Sequence, residues 1–223
     1  MTDADITYRV AETADIDALT EFCVNHACRT EPTAVALGLE PEPLRPFIRE
    51  VMIECVKLPV SFMAFNKAGE LVGFRVSHQI DPWAPKPPPS KTLDFLKDLD
   101  VDHPMKLWLH FIGDLQAGLP ELIPRNAKKI LKFFFLCVRK DHQRRGIAKK
   151  LVELTIARAR ELGFDGISVK LIAYATQELH VPLFGFDVVM IMHHKYFVNS
   201  KGERAIYCKD ETDKGCLCYL QLK

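Results

Sequence analysis

What most limits the folds open to this chain is one junction. The apolar run Ile130 to Val138 (ILKFFFLCV) passes through a polar turn into a helix-patterned stretch from Ile147 to Leu162. A run this apolar suits a strand buried on both faces, in a sheet covered by helices. In the helical stretch Ala148, Leu151, Val152, Thr155, Ile156, Ala159 and Leu162 share one face. Gly163 stands where a helix C-terminal glycine is expected. A strand from Ile167 to Ile172, a short helix from Tyr174 to Leu183 and a strand from Val188 to Val198 follow. Strand, turn, helix, strand requires a parallel crossover, so the chain reads as α/β with a mixed sheet.

Upstream, Ile6 to Val10 reads as a first strand, and a helix from Thr13 or Ala14 carries Ile16, Leu19, Phe22, Cys23 and His26 at helical spacing. That helix must stop by Glu31, because the residue before Pro32 is pushed out of the α region. Pro41 to Leu58 is a second amphipathic helix, with Leu44, Phe47, Ile48, Val51, Met52 and Cys55 in one stripe. Val60 to Phe65 and Glu70 to Ile80 read as a hairpin. The proline-dense Pro82 to Pro89 reads as a stiff extended loop. Helices are expected over Thr92 to Leu99 and Pro104 to Ala117, and Gly215 to Leu222 is a closing strand.

The 223 residues fit one domain spanning 1–223, with 48% hydrophobic and 26% charged residues. Lys+Arg number 30 against 29 Asp+Glu. That balance argues against nucleic-acid or polybasic membrane binding. MTDADITYRV has no basic and apolar leader pattern, and the most apolar run is too short to span a bilayer. The odd count of 7 cysteines, with Cys23, Cys28, Cys55 and Cys137 on apolar faces, reads as reduced thiols in a cytoplasmic protein. Cys216-x-Cys218 lacks a second ligand pair, so no metal site is expected.

The turn before Ile147 carries the chemistry. Backbone amides at a helix start have no intrahelical partner and, with the helix dipole, favour an anion. Gly146 and small Ala148 allow close approach, and Arg144, Arg145, Lys149 and Lys150 add positive charge. A diphosphate is the natural ligand. The spacing is neither that of a Walker loop nor that of a dinucleotide fingerprint.

Gln143-Arg144-Arg145-Gly146-Ile147-Ala148, with Val138 ahead of it and Gly185-Phe186 after the next helix, resembles the Gln/Arg-x-x-Gly-x-Gly/Ala signature of the GCN5-related N-acetyltransferase superfamily. The resemblance implies a mixed, mostly antiparallel central sheet flanked by helices. It implies a splayed parallel strand pair that binds acetyl-CoA, the pyrophosphate on Gln143, Arg144, Arg145, Gly146, Ile147 and Ala148 and the pantetheine arm on the backbone of Leu136, Cys137 and Val138. The Val138 N–H would then stabilise the oxyanion. Cys137 could be read as a nucleophile, but alternation puts it on a packed face as an inert thiol.

An ammonium must lose a proton before it attacks a thioester, so a base is expected. A helix, Glu31-Pro32, a second helix and a hairpin carrying Val72-Gly73 resemble the insect-type, dopamine-acetylating arylalkylamine N-acetyltransferases. That resemblance makes Glu31, in an extended loop, the base. The serines those enzymes use are missing, and Thr176 or Tyr174 stands in their region. No tyrosine precedes Gly185-Phe186, so no general acid is assigned. Of the histidines, His142 is expected to be exposed and His110 to pack; His193 and His194 cannot both face one site. Phe22, Trp83 and Phe111 are candidates to sandwich an aryl group.

The expectation is therefore a monomeric enzyme that moves acetyl from acetyl-CoA to a small primary amine, an arylalkylamine as the resemblance implies, by direct attack in a ternary complex. An amino acid, polyamine or protein lysine acceptor stays open, as does a non-catalytic acyl-CoA-binding domain.

Overall fold

The computed structural model describes residues 5–85 and 88–223; Met1 to Ala4 of the leader reading, and Lys86 and Pro87 of the proline-dense segment, lie outside it. The sheet is built from β1 (Thr7–Val10), β2 (Phe62–Phe65), β3 (Leu71–Ile80), β4 (Ile130–Val138), β5 (Gly166–Leu171), β6 (Asp187–His193) and β7 (Lys214–Gln221). They lie in the order β1-β2-β3-β4-β5-β7-β6. β4 and β5 are parallel, and the other neighbours are antiparallel. The single parallel step is the one the Ile130–Leu162 junction demanded, because a helix must carry the chain back across the sheet before the next strand can pair.

The helices are α1 (Ile16–Phe22), α2 (Cys28–Thr30), α3 (Pro32–Leu37), α4 (Arg45–Cys55), α5 (Pro104–Ala117), α6 (Leu119–Leu122), α7 (Ile147–Glu161) and α8 (Tyr174–Phe184). One face of the sheet packs Phe74 and Val76 of β3 against α1, α4 and α5 through Leu19, Met52 and Met105. The other packs Phe133, Ile167 and Val169 against α7 and α8 through Val152, Ile156 and Leu179. Between α1 and α2 the backbone forms a π turn over Cys23–Ala27. Gly185, left-handed at φ 70°, ends α8: the Phe186 N–H reaches back to the His180 carbonyl and the Phe186 ring drops into the core.

Several expectations change. The strand expected over Val188 to Val198 stops at His193, where its register with Lys214 ends and a 3-10 turn, His194–Tyr196, follows. Thr92 to Leu99 is a 3-10 helix, Lys91–Asp98, rather than an α-helix. The short α3 and α6 were not anticipated, since four to six residues carry no periodicity to read. All seven cysteines are free. Cys216 and Cys218 share one face of β7 and pack in the core.

Gly166 opens β5 at a point where a Cβ would lie 2.1 Å from the Tyr219 hydroxyl and 2.4 Å from its ring. A rigid ring cannot give way as a flexible chain end does. Gly166→Ala is expected to cost about 1–3 kcal/mol, read as a lower urea midpoint with an unchanged m value.

Candidate functional site

The site grows from the way β4 leaves β5. The two strands are in register from Ile130/Gly166 to Phe133/Val169 and no further, whereas β4 stays paired with β3 to Val138. The β3 register jumps between Val76 and Ser77, so Phe134 is an extra residue on β4. A bulge of this kind bends its strand and increases local twist, which carries the end of β4 away from β5. The Arg139 N–H donates to the Val72 carbonyl at 2.8 Å. Counting back along an antiparallel ladder, alternate residues turn their backbone groups away from the partner. Leu136 and Val138 therefore point their N–H and C=O into the gap. The Val138 carbonyl is taken up by the Gln143 side-chain amide at 2.9 Å.

The turn that follows holds two left-handed residues, Arg144 (φ 63°) and Gly146 (φ 81°). Arg144 is the one described non-glycine residue with positive φ, a conformation that costs energy and clusters at functional sites. Gly146 is the N-cap of α7. The first backbone bond of the helix is Lys150 N–H to Gly146 O, at 3.0 Å. None of the amides from Arg144 to Lys149 has a backbone acceptor among the described residues. Successive amides turned by left-handed residues form a concave anion nest, and Gln143, Arg144 and Arg145 are exposed around it. Ile147 is buried while Ala148 is partly open. Gly73 fixes how closely these parts approach. A Cβ there would lie 3.0 Å from the Cys137 carbonyl, 3.2 Å from Val138 Cγ2 and 3.4 Å from Ile147 Cγ2.

His142 is buried rather than exposed. Its ring lies 3.0 Å from Asp141, and Arg139 bonds the same carboxylate at 2.8 Å. Those partners hold Asp141 below its usual range, Arg139 most of all. Cys137 is buried, and burial pushes its thiol up to about 12, which suits packing and not attack.

Glu31 is not in a loop. It is the N-cap of α3, with Pro32 at the first turn. Oε1 accepts from the Thr33 N–H at 2.8 Å. Oε2 accepts from the Ala34 N–H at 2.8 Å, the Thr33 hydroxyl at 2.5 Å and the Trp108 indole N–H at 3.0 Å. Burial nevertheless raises the carboxyl above its ordinary 4.5, outweighing these donors. Oε2 is saturated; Oε1 keeps lone-pair capacity. Thr33, Trp108 and Cys208, whose thiol feels the Glu31 charge, were not foreseen. Thr33 had a signal, since Glu-Pro-Thr is an N-cap with proline at its first position. Trp108 is far away in sequence and had none.

Tyr174 and Thr176 open α8. The Thr176 hydroxyl donates to the Ala173 carbonyl at 2.7 Å. Tyr174 is exposed, and its amide donates to the Thr212 hydroxyl at 2.9 Å. No hydrogen bond joins either to Glu31 among the described residues. Of the aromatic candidates, Phe111 is in the core, and Trp83 is tied by its indole to the Ala127 carbonyl at 3.0 Å. Phe22 stacks on His26 of the π turn, 4.4 Å between centroids. The two line an open hollow of about 280 Å³ with Leu71, at the Val138 end of β3. His110 is exposed and pairs with Asp114 at 3.2 Å.

The acetyltransferase (GNAT) family model matches residues 40–186. No curated protein matches the sequence significantly. Among solved structures, the chain is similar to arylalkylamine N-acetyltransferase 2 from Aedes aegypti, with TM-score 0.81 and 17% identity over 98% of this chain and 99% of that one. It is similar to the Drosophila melanogaster polyamine N-acetyltransferase that forms N-acetylagmatine, with TM-score 0.73 and 18% identity over 97% and 100%. It also resembles yncA from Salmonella typhimurium, solved with acetyl-CoA, with TM-score 0.53 and 14% identity over 98% and 95%.

The cap geometry sets a stability test. A carboxyl whose folded value is raised binds its proton more tightly when folded. Glu31 thus contributes most stability below 4.5 and loses it as pH rises through the higher folded value. Glu31→Gln keeps one acceptor and turns an NH₂ toward donors, costing about 1 kcal/mol as a lost cap. Thermal unfolding is expected to show this deficit largest near pH 4 and smaller at pH 8.

Proposed function

This chain belongs to the acetyltransferase (GNAT) family, and we propose that it transfers acetyl from acetyl-CoA to the primary amine of a small arylalkyl or agmatine-like acceptor. The observation that carries this reading is the conjunction of a β4 edge free of β5, with the Leu136 backbone groups and the Val138 N–H turned into the gap, and an amide nest at the start of α7. The residues fit the co-substrate. Arg144 to Ala148 would hold the pyrophosphate on main-chain amides, with Arg144 and Arg145 adding charge, while the Gln143 N–H is taken by the Lys140 carbonyl at 3.4 Å. Leu136 and Val138 would pair with the amide-bearing arm, whose own N–H and C=O groups complement a strand edge, whereas Cys137, expected to join them, turns its N–H and C=O to β3.

Bound there, acetyl-CoA supplies an activated carbonyl. The Val138 N–H stabilises negative charge developing on the carbonyl oxygen. Glu31 takes the amine proton at Oε1, directly or through one water, and its raised value matches that task. Holding both reactants makes a covalent acetyl-enzyme unnecessary, and the protonated thiol of Cys137 agrees. The acceptor enters on the α1 and α5 side, where Glu31 and the Phe22–His26 hollow lie. An aromatic wall there favours an arylalkylamine; the agmatine acceptor of the Drosophila neighbour keeps a cationic tail as the second choice.

Thiol release from acetyl-CoA with tyramine, dopamine, tryptamine, agmatine and spermidine tests the reading, and at least one is expected to react. Glu31→Gln should lower kcat/KM about 10²–10³-fold at neutral pH, and an unchanged rate removes Glu31 as base. Arg144→Glu with Gly146→Val puts an acid and a β-branched residue where the backbone is left-handed. Calorimetric binding of acetyl-CoA is expected to be lost, and retained affinity contradicts the nest.

A further inference from the structure

Arg75 is a charge that the protein leaves unanswered. It sits in β3 on the α7 and α8 face, opposite Phe62 of β2 and Leu136 of β4, and is 2% exposed. Its Nε and Nη2 are buried without an acceptor. The guanidinium stacks over Phe133, 3.6 Å from the ring centroid. An arginine does not give up its proton in a protein, and a buried charge without a partner is costly. Two more buried groups beside the same ring are unpaired. They are the hydroxyl of Ser77, opposite Phe133 in the register, and Nε2 of His180, whose ring lies 6.1 Å from Phe133. His180 Nδ1 lies 2.8 Å from the Thr176 carbonyl, so Nδ1 carries the proton and Nε2 is a bare acceptor.

Phe133 is the last residue at which β4 pairs with β5. The unpaired guanidinium thus lies where the gap opens. In the transfer, the amine nitrogen bonds to the carbonyl carbon and its proton passes to Glu31. The carbon–sulfur bond breaks with its electron pair on sulfur, leaving a thiolate. Two α8 side chains have no proton to give: Nε2 of His180 is bare, and the Thr176 hydroxyl is engaged at Ala173.

We propose that Arg75 supplies the positive field that stabilises the departing coenzyme A thiolate, in place of a proton donor. The inference rests on the acetyl-CoA reading above. Arg75 acts as an electrostatic positioning residue from beneath the strand. The titratable groups electrostatically coupled to it are Cys55 of α4, across the sheet, and His180 of α8 on its own face. Burial keeps both uncharged, Cys55 pushed up to about 12 and His180 down to about 3. From α7 the neighbours in this cluster are Val152 and Ile156, and β2 offers Phe62.

The test compares coenzyme A with desulfo-coenzyme A by calorimetry across pH, using wild type, Arg75→Met and Arg75→Lys. In wild type, affinity for coenzyme A is expected to rise relative to the desulfo analogue at a pH below the ordinary thiol value of about 8.5. Arg75→Met should lose this gain, and Arg75→Lys should lose it as well, since a lysine buried without a partner gives up its proton where an arginine does not. Arg75→Met is expected to keep or raise Tm, since an unpaired buried charge is replaced by an apolar chain. Its kcat should fall about tenfold, the effect of one pKa unit on the leaving thiol, with KM for acetyl-CoA unchanged. Equal pH dependence for the two ligands in wild type overturns the role of Arg75 while leaving the binding site standing, and that arm decides the matter even if Arg75→Met fails to fold. An Arg75→Met enzyme with undiminished kcat overturns it as well. Failure of both ligands to bind wild type overturns it together with the acetyl-CoA reading.

Discussion

The rest of the structure depends on the loss of one set of hydrogen bonds. A central strand ordinarily satisfies both of its edges, and β4 does so only as far as Phe133. Beyond that point its β3 side is still paired while the other side is not. Backbone groups left without partners inside a protein are expensive, so a persistent unpaired edge is a cost that binding can recover. The extra residue at Phe134 produces the divergence, and Gly73 lets β3, the end of β4 and the start of α7 close up around it. Strand edge and amide nest therefore sit at opposite ends of one short connection.

Glu31 is the cap of α3 and the base we propose, and the two roles pull against each other. As the cap of α3 it collects donors from Thr33, Ala34 and Trp108, which favour the anion. As a base it needs proton affinity, which burial restores. The two oxygens divide the work: Oε2 is held by three donors, while Oε1 accepts one and keeps room for another. A carboxylate on a mobile loop would have neither the fixed direction nor the desolvation. Its rigidity comes from a helix of one and a half turns.

How legible this was differs from residue to residue. β4, the Gln143–Ala148 turn and α7 were readable because a doubly buried strand, a helix N-terminus and an amphipathic stripe each leave a local pattern, and the observed bounds of β4 coincide with the apolar run. The Gly185-Phe186 pair entered only through the resemblance, and the structure supplies its physical reason: Gly185 is left-handed and the Phe186 ring is buried. The cap around Glu31 was only half readable: Pro32 gave the turn away, but Trp108 arrives from α5 through tertiary packing alone. His142 was misjudged because a polar turn was read as solvated throughout, whereas the 3-10 turn Lys140–His142 places the ring beside Arg139 and Asp141. Arg75 drew no notice in a strand pattern, as a single charge there reads as an outward residue. Its orphaned nitrogens emerge only when both sheet faces are seen to be covered.

The π turn at Cys23–Ala27 has a consequence for the direction in which Glu31 faces. A π turn is a helix accommodating one surplus residue, and in an α-helix each residue advances the face by about 100°. Everything downstream, including Cys28, Thr30 and Glu31, is phased by that surplus. If the same residues wound as regular α-helix instead, the surplus would carry Glu31 about a quarter of a revolution further around the axis, off Trp108, with every side chain of the cap still in the sequence. The winding of this turn, more than the identity of any residue in it, aims the carboxylate.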